Sequence, residues 1–164
     1  MAPGEVGELL TRGPYTIAGY YGDPEANARS FTSDGFYRTG DLVRLHPSGN
    51  FVVEGRTKDV INRGGEKISA DELEAVALQH PSISSAAAVA MPHPRYGEAV
   101  CLFVVLREGE TLELRDVRSF FESHGLASFK LPRRLEVIES LPAVGIGKVN
   151  KVALRERAAD LATA

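Results

Sequence analysis

The stretch Gly55-Arg-Thr-Lys-Asp-Val-Ile-Asn-Arg-Gly-Gly-Glu-Lys67 marks the point where the pattern of this 164-residue chain changes. It carries four basic side chains, two acidic side chains and three glycines. The pair Gly64-Gly65 permits positive φ angles and a close approach of the backbone to a ligand. These residues alone allow two interpretations. The stretch is either a charged connector with a hairpin or a backbone cradle beside a bound molecule. We place a domain boundary here, between residues 1–58 and 59–164.

Short strands, turns and one helix are expected before this boundary. The segments with strand-like composition are Gly7–Arg12, Tyr15–Tyr21, Leu42–Leu45 and Phe51–Glu54. The last two flank His46–Asn50, whose turn residues predict a hairpin. Asp23 directly before Pro24 is typical of a helix start, and this helix is expected to stop near Phe31.

Helices and apolar strands alternate after the boundary. Ser69 and Glu72 have the spacing of a capping box, which predicts a helix up to Pro81. Ser85–Met91 and Ala99–Leu106 are apolar and strand-like. Three more elements are predicted: a helix with Leu114, Val117, Phe120 and Phe121 on one face and Gly125 at its end, a strand over Leu135–Ile138, and a last helix capped by Asn150 with Val152, Leu154, Ala158 and Leu161 inward. This order predicts an α+β fold with a small antiparallel sheet flanked by helices.

Composition excludes several classes of protein. The chain is 43% apolar and 25% charged with a net charge of −3, which is typical of globular domains and argues against a nucleic-acid binder. Its longest strongly apolar run, Ala99–Leu106, is too short to span a bilayer, and no signal peptide is expected. The four histidines lack ligand spacing, so we expect no metal site. The single cysteine, Cys101, is expected to be a buried thiol in a reducing, cytoplasmic compartment.

Two further segments carry candidate functional side chains. In Tyr37-Arg-Thr-Gly-Asp41 the carboxylate could accept hydrogen bonds from two vicinal hydroxyls, as acidic residues do for ribose, or could be a solvated turn residue. In Gly145-Ile-Gly-Lys148 a lysine follows glycines and precedes a helix. It is not a Walker A loop, because Pro142 stands six positions before Lys148 and no Ser or Thr follows the lysine. An ammonium group on a mobile loop and an ordinary exposed lysine are both open here.

Taken together, these segments resemble the C-terminal part of adenylate-forming enzymes, a superfamily of acyl- and aryl-CoA synthetases, luciferases and nonribosomal adenylation domains. The matching residues, in order, are Tyr37–Asp41, the Gly-Arg-x-Lys-Asp-x-Ile run Gly55–Ile61 with Gly64, Ile68 and Glu72, and Gly147-Lys148 after Leu141-Pro142. Gly13–Tyr21 and Ile61–Lys67 are further similar to the aryl-acid adenylases of catechol siderophore assembly, which activate 2,3-dihydroxybenzoate or salicylate.

The resemblance implies a reaction in two halves. A carboxylate attacks ATP, held with Mg²⁺, to give an acyl-AMP, and a thiol of phosphopantetheine or CoA then displaces AMP. By this resemblance Asp41 binds the ribose hydroxyls, and Arg56 and Tyr37 belong to the same nucleotide site. The expected substrates are an aryl acid and ATP, and the expected acceptor is an aryl carrier protein or CoA.

The resemblance also implies a moving domain. Lys58 falls at the hinge position and Lys148 at the lysine that stabilises the transferring groups during adenylation. After rotation, Gly64 and Gly65 are expected beside the pantetheine arm, where absent side chains leave room for a tunnel.

The same comparison implies that most of the ATP site lies elsewhere. Residues 1–58 are expected to be the β-rich C-terminal end of a large AMP-binding domain, and residues 59–164 the small mobile domain. The phosphate loop, adenine segment and acid pocket belong to that large domain, so this chain alone is expected to be inactive. A fragment of an aryl- or acyl-CoA ligase, or a non-catalytic module that docks a carrier protein, are the alternatives, and the sequence does not identify the acid.

Overall fold

The computed structural model describes residues 2–145 and 147–163. The chain divides into two compact units, Met1–Lys58 and Asp59–Ala164. We call them unit 1 and unit 2. Their elements confirm the α+β class that the sequence predicts, with sheets that are mostly antiparallel.

Unit 1 is a three-stranded antiparallel sheet with one short helix. Its elements are β1 (Val6–Thr11), α1 (Pro24–Ser30), β2 (Tyr37–Leu45) and β3 (Phe51–Arg56), with strand order β1-β2-β3. Asp23 caps α1 through a 2.8 Å bond from the Ala26 amide, as its position before Pro24 predicts. The predicted β2–β3 hairpin is confirmed, and Gly40 lies inside β2 with φ +72°.

The predicted strand over Tyr15–Tyr21 is wrong, because this segment has no regular secondary structure. Tyr15 and Tyr21 are fully exposed, and no strand pairs with them. At Tyr20 the backbone is satisfied by a side chain instead: its amide donates to Asn27 Oδ1 at 2.7 Å, and Asn27 Nδ2 donates to its carbonyl at 2.9 Å. Aromatic composition therefore favours a strand only where a neighbouring strand is available.

Unit 2 is built on a five-stranded sheet. Its strands are β4 (Val60–Arg63), β5 (Glu66–Ser69), β6 (Ile83–His93), β7 (Gly97–Leu106) and β8 (Arg134–Val137), in the order β5-β4-β7-β6 with β8 also beside β7. The β7–β8 pair is parallel, which departs from the purely antiparallel sheet that we expected. A separate two-stranded hairpin consists of β9 (Ala143–Val144) and β10 (Lys148–Val149).

Helices cover both faces of this sheet. They are α2 (Ala70–Ala77), α3 (Leu114–Ser123) and α4 (Lys151–Thr163). Helices α2 and α3 pack on one face with Val100, Leu102 and Val104, and α4 packs on the other with Cys101 and Phe103. Alternate residues of β7 thus enter opposite halves of the core, as strand geometry requires.

Two predicted helix details need correction. Helix α2 ends at Ala77, short of Pro81, although the Glu72 amide does bond Ser69 Oγ at 3.3 Å. In α4, Leu154 and Ala158 are buried but Val152 is 57% exposed. Val152 lies in the first turn, where Asn150 caps the helix through a 3.2 Å bond from the Ala153 amide. Its side chain therefore lies away from the stripe that faces the sheet.

Candidate functional site

Asp41 and Arg56 face each other across β2 and β3. Arg56 Nε donates to Asp41 Oδ1 at 2.8 Å, and Arg56 Nη2 donates to the Thr39 carbonyl at 3.2 Å. The Asp41 and Arg56 side chains nevertheless remain 35% and 48% exposed. The ion pair therefore orients the carboxylate while leaving it accessible to a ligand.

A bulge in β2 produces this orientation. Leu10 pairs with Arg38 and Glu8 pairs with Leu42, so the segment Thr39–Asp41 lies opposite Leu9 alone. Thr39 Oγ1 donates to the Leu9 carbonyl at 2.9 Å and accepts from the Asp41 amide at 3.0 Å. Gly40 supplies the positive φ that the extra length requires.

Tyr37 lies four residues before Asp41 on the same strand. Its hydroxyl lies 3.1 Å from the Tyr20 hydroxyl, and its ring packs 5.3 Å from the ring of Phe31. The hydrogen bond with Tyr20 raises the pKa of Tyr37, and partial loss of solvation adds to this effect; the smaller effects of Arg56 and Asp41 lower and raise it, respectively. Asp41 and Arg56 are thus bonded to each other, and Tyr37, on the same strand as Asp41, is bonded to Tyr20. Sequence reasoning missed Tyr20, because it lies in a segment interpreted as a strand.

Gly64 and Gly65 form the two-residue tip of the β4–β5 hairpin, with φ of +62° and +99°. The Gly64 amide donates to the Tyr96 carbonyl at 2.8 Å, and a Cβ at Gly64 would lie 3.3 Å from Tyr96 Cδ1. A Cβ at Gly65 would meet no atom within 4 Å. Gly64 is therefore needed for close packing within unit 2, while Gly65 leaves open space at the hairpin tip.

Lys148 is the first residue of β10 and is exposed. Its Cα partner is Val144, and the adjacent turn contains Gly145 and Gly147 with φ of +57° and +74°. The Asn150 amide donates to the Pro142 carbonyl at 2.7 Å, which closes the base of this hairpin. Lys148 is thus a solvent-exposed ammonium group on a hairpin with a fixed base, three residues before α4.

Lys58 lies in a short 3-10 turn, Thr57–Asp59, at the end of unit 1. The next residue, Asp59, begins unit 2 and is only 10% exposed. Arg155 of α4 donates to Asp59 Oδ1 at 3.2 Å. No sequence signal predicts this pair, because 96 residues separate its members.

A second ion pair ties α4 to α2. Lys151 Nζ lies 2.7 Å from Glu74 Oε1 and 3.6 Å from Asp71 Oδ1. Glu74 Oε1 also accepts from the Ala88 amide of the edge strand β6 at 2.8 Å. Burial raises the pKa of Glu74, although Lys151 and the Ala88 amide act in the opposite direction.

Other classes of site find little support in residues 2–145 and 147–163. No cluster of three potential metal-ligating side chains occurs there. Burial raises the pKa of the Cys101 thiol to about 12, which suits a core residue rather than a nucleophile. Within the same residues, every helix is too short or too polar to cross a bilayer.

Comparison with known families identifies much of unit 2. Residues 72–148 match the AMP-binding enzyme C-terminal domain. This segment belongs to that family. The resemblance stated from the sequence motifs is thereby confirmed, and Lys148 is the last residue of the matched AMP-binding C-terminal domain. Asp41, Arg56, Lys58 and the Gly64-Gly65 pair lie outside the match.

Similarity to known proteins extends beyond this segment, over nearly the whole chain. A 2-hydroxy-7-methoxy-5-methyl-1-naphthoate–CoA ligase from Streptomyces carzinostaticus is 58% identical over 94% of this chain, and a 2,3-dihydroxybenzoate-AMP ligase from Bacillus subtilis is 55% identical over 94%. This chain spans 28% of each of these proteins. The crystal structure of ATP-bound MatB from Rhodopseudomonas palustris matches 99% of the chain with a TM-score of 0.89 and 31% identity, and the chain covers 32% of it.

Proposed function

We propose that this chain forms the C-terminal part of an aryl-acid–AMP ligase. The complete enzyme would adenylate an aromatic carboxylic acid with ATP and transfer the acyl group to the phosphopantetheine thiol of a carrier protein. The observation that carries the proposal is the 55% identity to a 2,3-dihydroxybenzoate-AMP ligase over 94% of the chain.

In this proposal Asp41 accepts hydrogen bonds from the two ribose hydroxyls of the nucleotide. Arg56 already occupies Asp41 Oδ1 at 2.8 Å, so it fixes the plane of the carboxylate before the ligand arrives. Such preorganisation reduces the entropy lost on binding. The exposed fraction of the Asp41 side chain, 35%, is what makes this role possible. Tyr37 and Tyr20 form one wall of the same site through their hydroxyl contact.

Lys148 serves the first half-reaction. Its ammonium group would stabilise negative charge on the α-phosphate and on the attacking carboxylate as the acyl-AMP forms. The exposed position on the β9–β10 hairpin suits a group that must reach into a site formed largely by another domain. Mg²⁺ accompanying ATP would be held mainly by that other domain and by the phosphates.

Lys58 and the glycine pair serve the second half-reaction. We propose that unit 2 rotates about Lys58, which removes Lys148 from the site and brings the Gly64-Gly65 tip beside the pantetheine arm. The open space beside Gly65 would leave a path for that arm. Gly64 supports the tip through its packing on Tyr96.

Residues 1–58 are proposed to be the end of a large AMP-binding domain. Among the described residues of unit 1, Val43 is the only buried apolar side chain. Tyr15, Phe51 and Val53 are each more than half exposed. A 58-residue unit with so little buried apolar surface does not have a core of its own. Its exposed apolar side chains are therefore expected to pack on a large domain of the adenylate-forming type.

One rival function has a specific observation in its favour. A naphthoate–CoA ligase is 58% identical to this chain, slightly above the value for the AMP ligase. The acceptor thiol would then be CoA rather than a carrier protein. A non-catalytic docking module is the remaining alternative.

The test is ATP–pyrophosphate exchange with a panel of acids. The chain alone is expected to give no exchange, and the chain joined to a large AMP-binding domain is expected to respond to 2,3-dihydroxybenzoate or salicylate. Offering CoA or a pantetheinylated aryl carrier protein then separates the two ligase functions. Exchange by the chain alone, or none with any aryl acid after joining, would contradict the proposal.

A further inference from the structure

Two basic side chains of α4, one helical turn apart, each contact a partly buried carboxylate. Lys151 contacts Glu74 at 2.7 Å, with side chains 16% and 19% exposed. Arg155 contacts Asp59 at 3.2 Å, with side chains 31% and 10% exposed. Positions i and i+4 lie on the same face of a helix, so both contacts come from one side of α4. Removing one partner of such a pair leaves the other charge poorly solvated, so these contacts are more costly to break than exposed pairs.

These two contacts connect two important points of the proposed mechanism. Asp59 directly follows the hinge residue Lys58, so the Arg155 contact ties α4 to the first residue beyond the hinge. At this same N-terminal end, α4 is capped by Asn150, whose amide also closes the base of the Lys148 hairpin by donating to the Pro142 carbonyl. An unbroken series of bonded or contacting groups therefore runs from the hinge to Lys148.

The rest of the helix is anchored to the sheet. Leu154 and Ala158 are buried against the face of β6 and β7 that contains Phe103. Glu74 extends the contact to the sheet edge, because it also binds the Ala88 amide. Hydrophobic packing sets the position of the axis of α4, and the two ion pairs set the position of its first turns.

We propose that α4 transmits rotation at Lys58 to Lys148, with Arg155 and Lys151 as the positioning residues that fix the helix. This inference rests on the proposed adenylation function. Lys148 follows a rotation at the hinge in full only if Asp59, α4 and the β9–β10 hairpin move as one rigid body. Loosening the Arg155 contact should let the ammonium group of Lys148 deviate from its catalytic position, and small displacements of a catalytic group are costly.

The coupling within this chain is tested by amide hydrogen exchange, which needs no activity. In Arg155→Gln, the amides of Asn150, Ala153 and Leu154 should exchange about tenfold faster, because their bonds define the start of α4. The Leu102 amide in the central strand should be unchanged. Glu156→Gln is the matched control, since it removes an exposed charge from the same helix. No acceleration, or an equal acceleration at Leu102, overturns the inference.

The catalytic consequence is tested in the enzyme that includes the large domain. Arg155→Gln should lower kcat for adenylation by about ten- to a hundredfold with KM for ATP and acid within about twofold. Arg155→Lys should restore most of the rate, because it keeps a cation opposite Asp59. Unchanged kcat in Arg155→Gln, or a loss confined to KM, contradicts the positioning role.

The two measurements separate failure of this inference from failure of the proposed function. If the unsubstituted enzyme does not adenylate any acid, the proposed function fails, and hydrogen exchange alone decides whether α4 couples the hinge side to the hairpin. If adenylation is normal but Arg155→Gln changes neither hydrogen exchange nor kcat, only the coupling through α4 is refuted.

Discussion

Replacing Lys148 by alanine should separate the two halves of the reaction. In this chain the lysine is exposed on a two-residue strand, and its backbone pairing with Val144 does not depend on the side chain. Loss of an exposed side chain of this kind changes the free energy of unfolding by about 0.5 kcal/mol or less. The melting temperature is therefore expected to move by no more than about 2 °C.

The kinetic effect should be far larger. In a closed site with little water, an ammonium group beside a developing anion contributes much more than it does in solution. Removing one such group costs about 3–4 kcal/mol, which corresponds to an adenylation rate roughly 10² to 10³ times lower. Thioester formation from a supplied acyl-AMP should be nearly unaffected, because Lys148 is proposed to leave the site before that step.

The assay compares ATP–pyrophosphate exchange with thiol acylation from synthetic acyl-AMP, both in the enzyme that includes the large domain. Lys67→Ala is the matched control for adenylation, since it removes another exposed lysine from a short strand of unit 2. Equal losses in the two half-reactions would refute the assigned role. So would a large fall in melting temperature, because the rate loss would then reflect unfolding.

Three other predictions concern the hinge, the core and one buried carboxyl. Lys58→Pro should impair thiol acylation more than adenylation, because proline restricts the rotation at the hinge; a loss of adenylation alone, in the same paired assay, would contradict this. Cys101 should label with a thiol reagent about 1,000-fold more slowly in the folded chain than after unfolding, since burial raises its pKa from 9.0 to about 12; rapid labelling without denaturant would refute its burial. The raised pKa of Glu74 means that its contribution to folding is present below pH 4.5 and is lost as pH rises through the folded value. Urea unfolding on both sides of pH 4.5 should therefore show Glu74→Gln gaining stability relative to the parent chain as pH rises, and the opposite trend would count against the shift.

Local sequence signals predicted the capped helix starts and the β2–β3 hairpin, although the end of α2 was placed too late. Asp23 and Asn150 each cap a helix by accepting from the backbone amide three residues ahead, so the local sequence is enough to predict these helix starts. Gly125 follows α3 with φ +79°, as expected for a helix stop. In the candidate site, the motifs single out Asp41 and Arg56 separately, and the β2–β3 hairpin places them opposite each other; their role in nucleotide binding stays a prediction.

Features that depend on distant partners could not be predicted. The parallel pairing of β8 with β7 and the contact of Arg155 with Asp59 join segments far apart in sequence. Glu74 has the pattern of an ordinary helix-surface residue, and only the fold places it beside Lys151 and the edge of β6. The strand predicted around Tyr20 was wrong for a related reason, because no neighbouring strand pairs with this segment.

The long β6–β7 hairpin has a consequence for the order of folding. Its strands pair from Ile83↔Leu106 to His93↔Gly97 across a turn of only three residues, so these contacts are local in sequence. Local contacts form quickly, whereas the parallel β8 and the distant α4 must close long loops before they dock. Because both halves of the core draw on β7, this hairpin can serve as the template on which α2 and α3 assemble on one face and α4 on the other. Helix α4, whose contacts hold Lys148 in place, would then dock late.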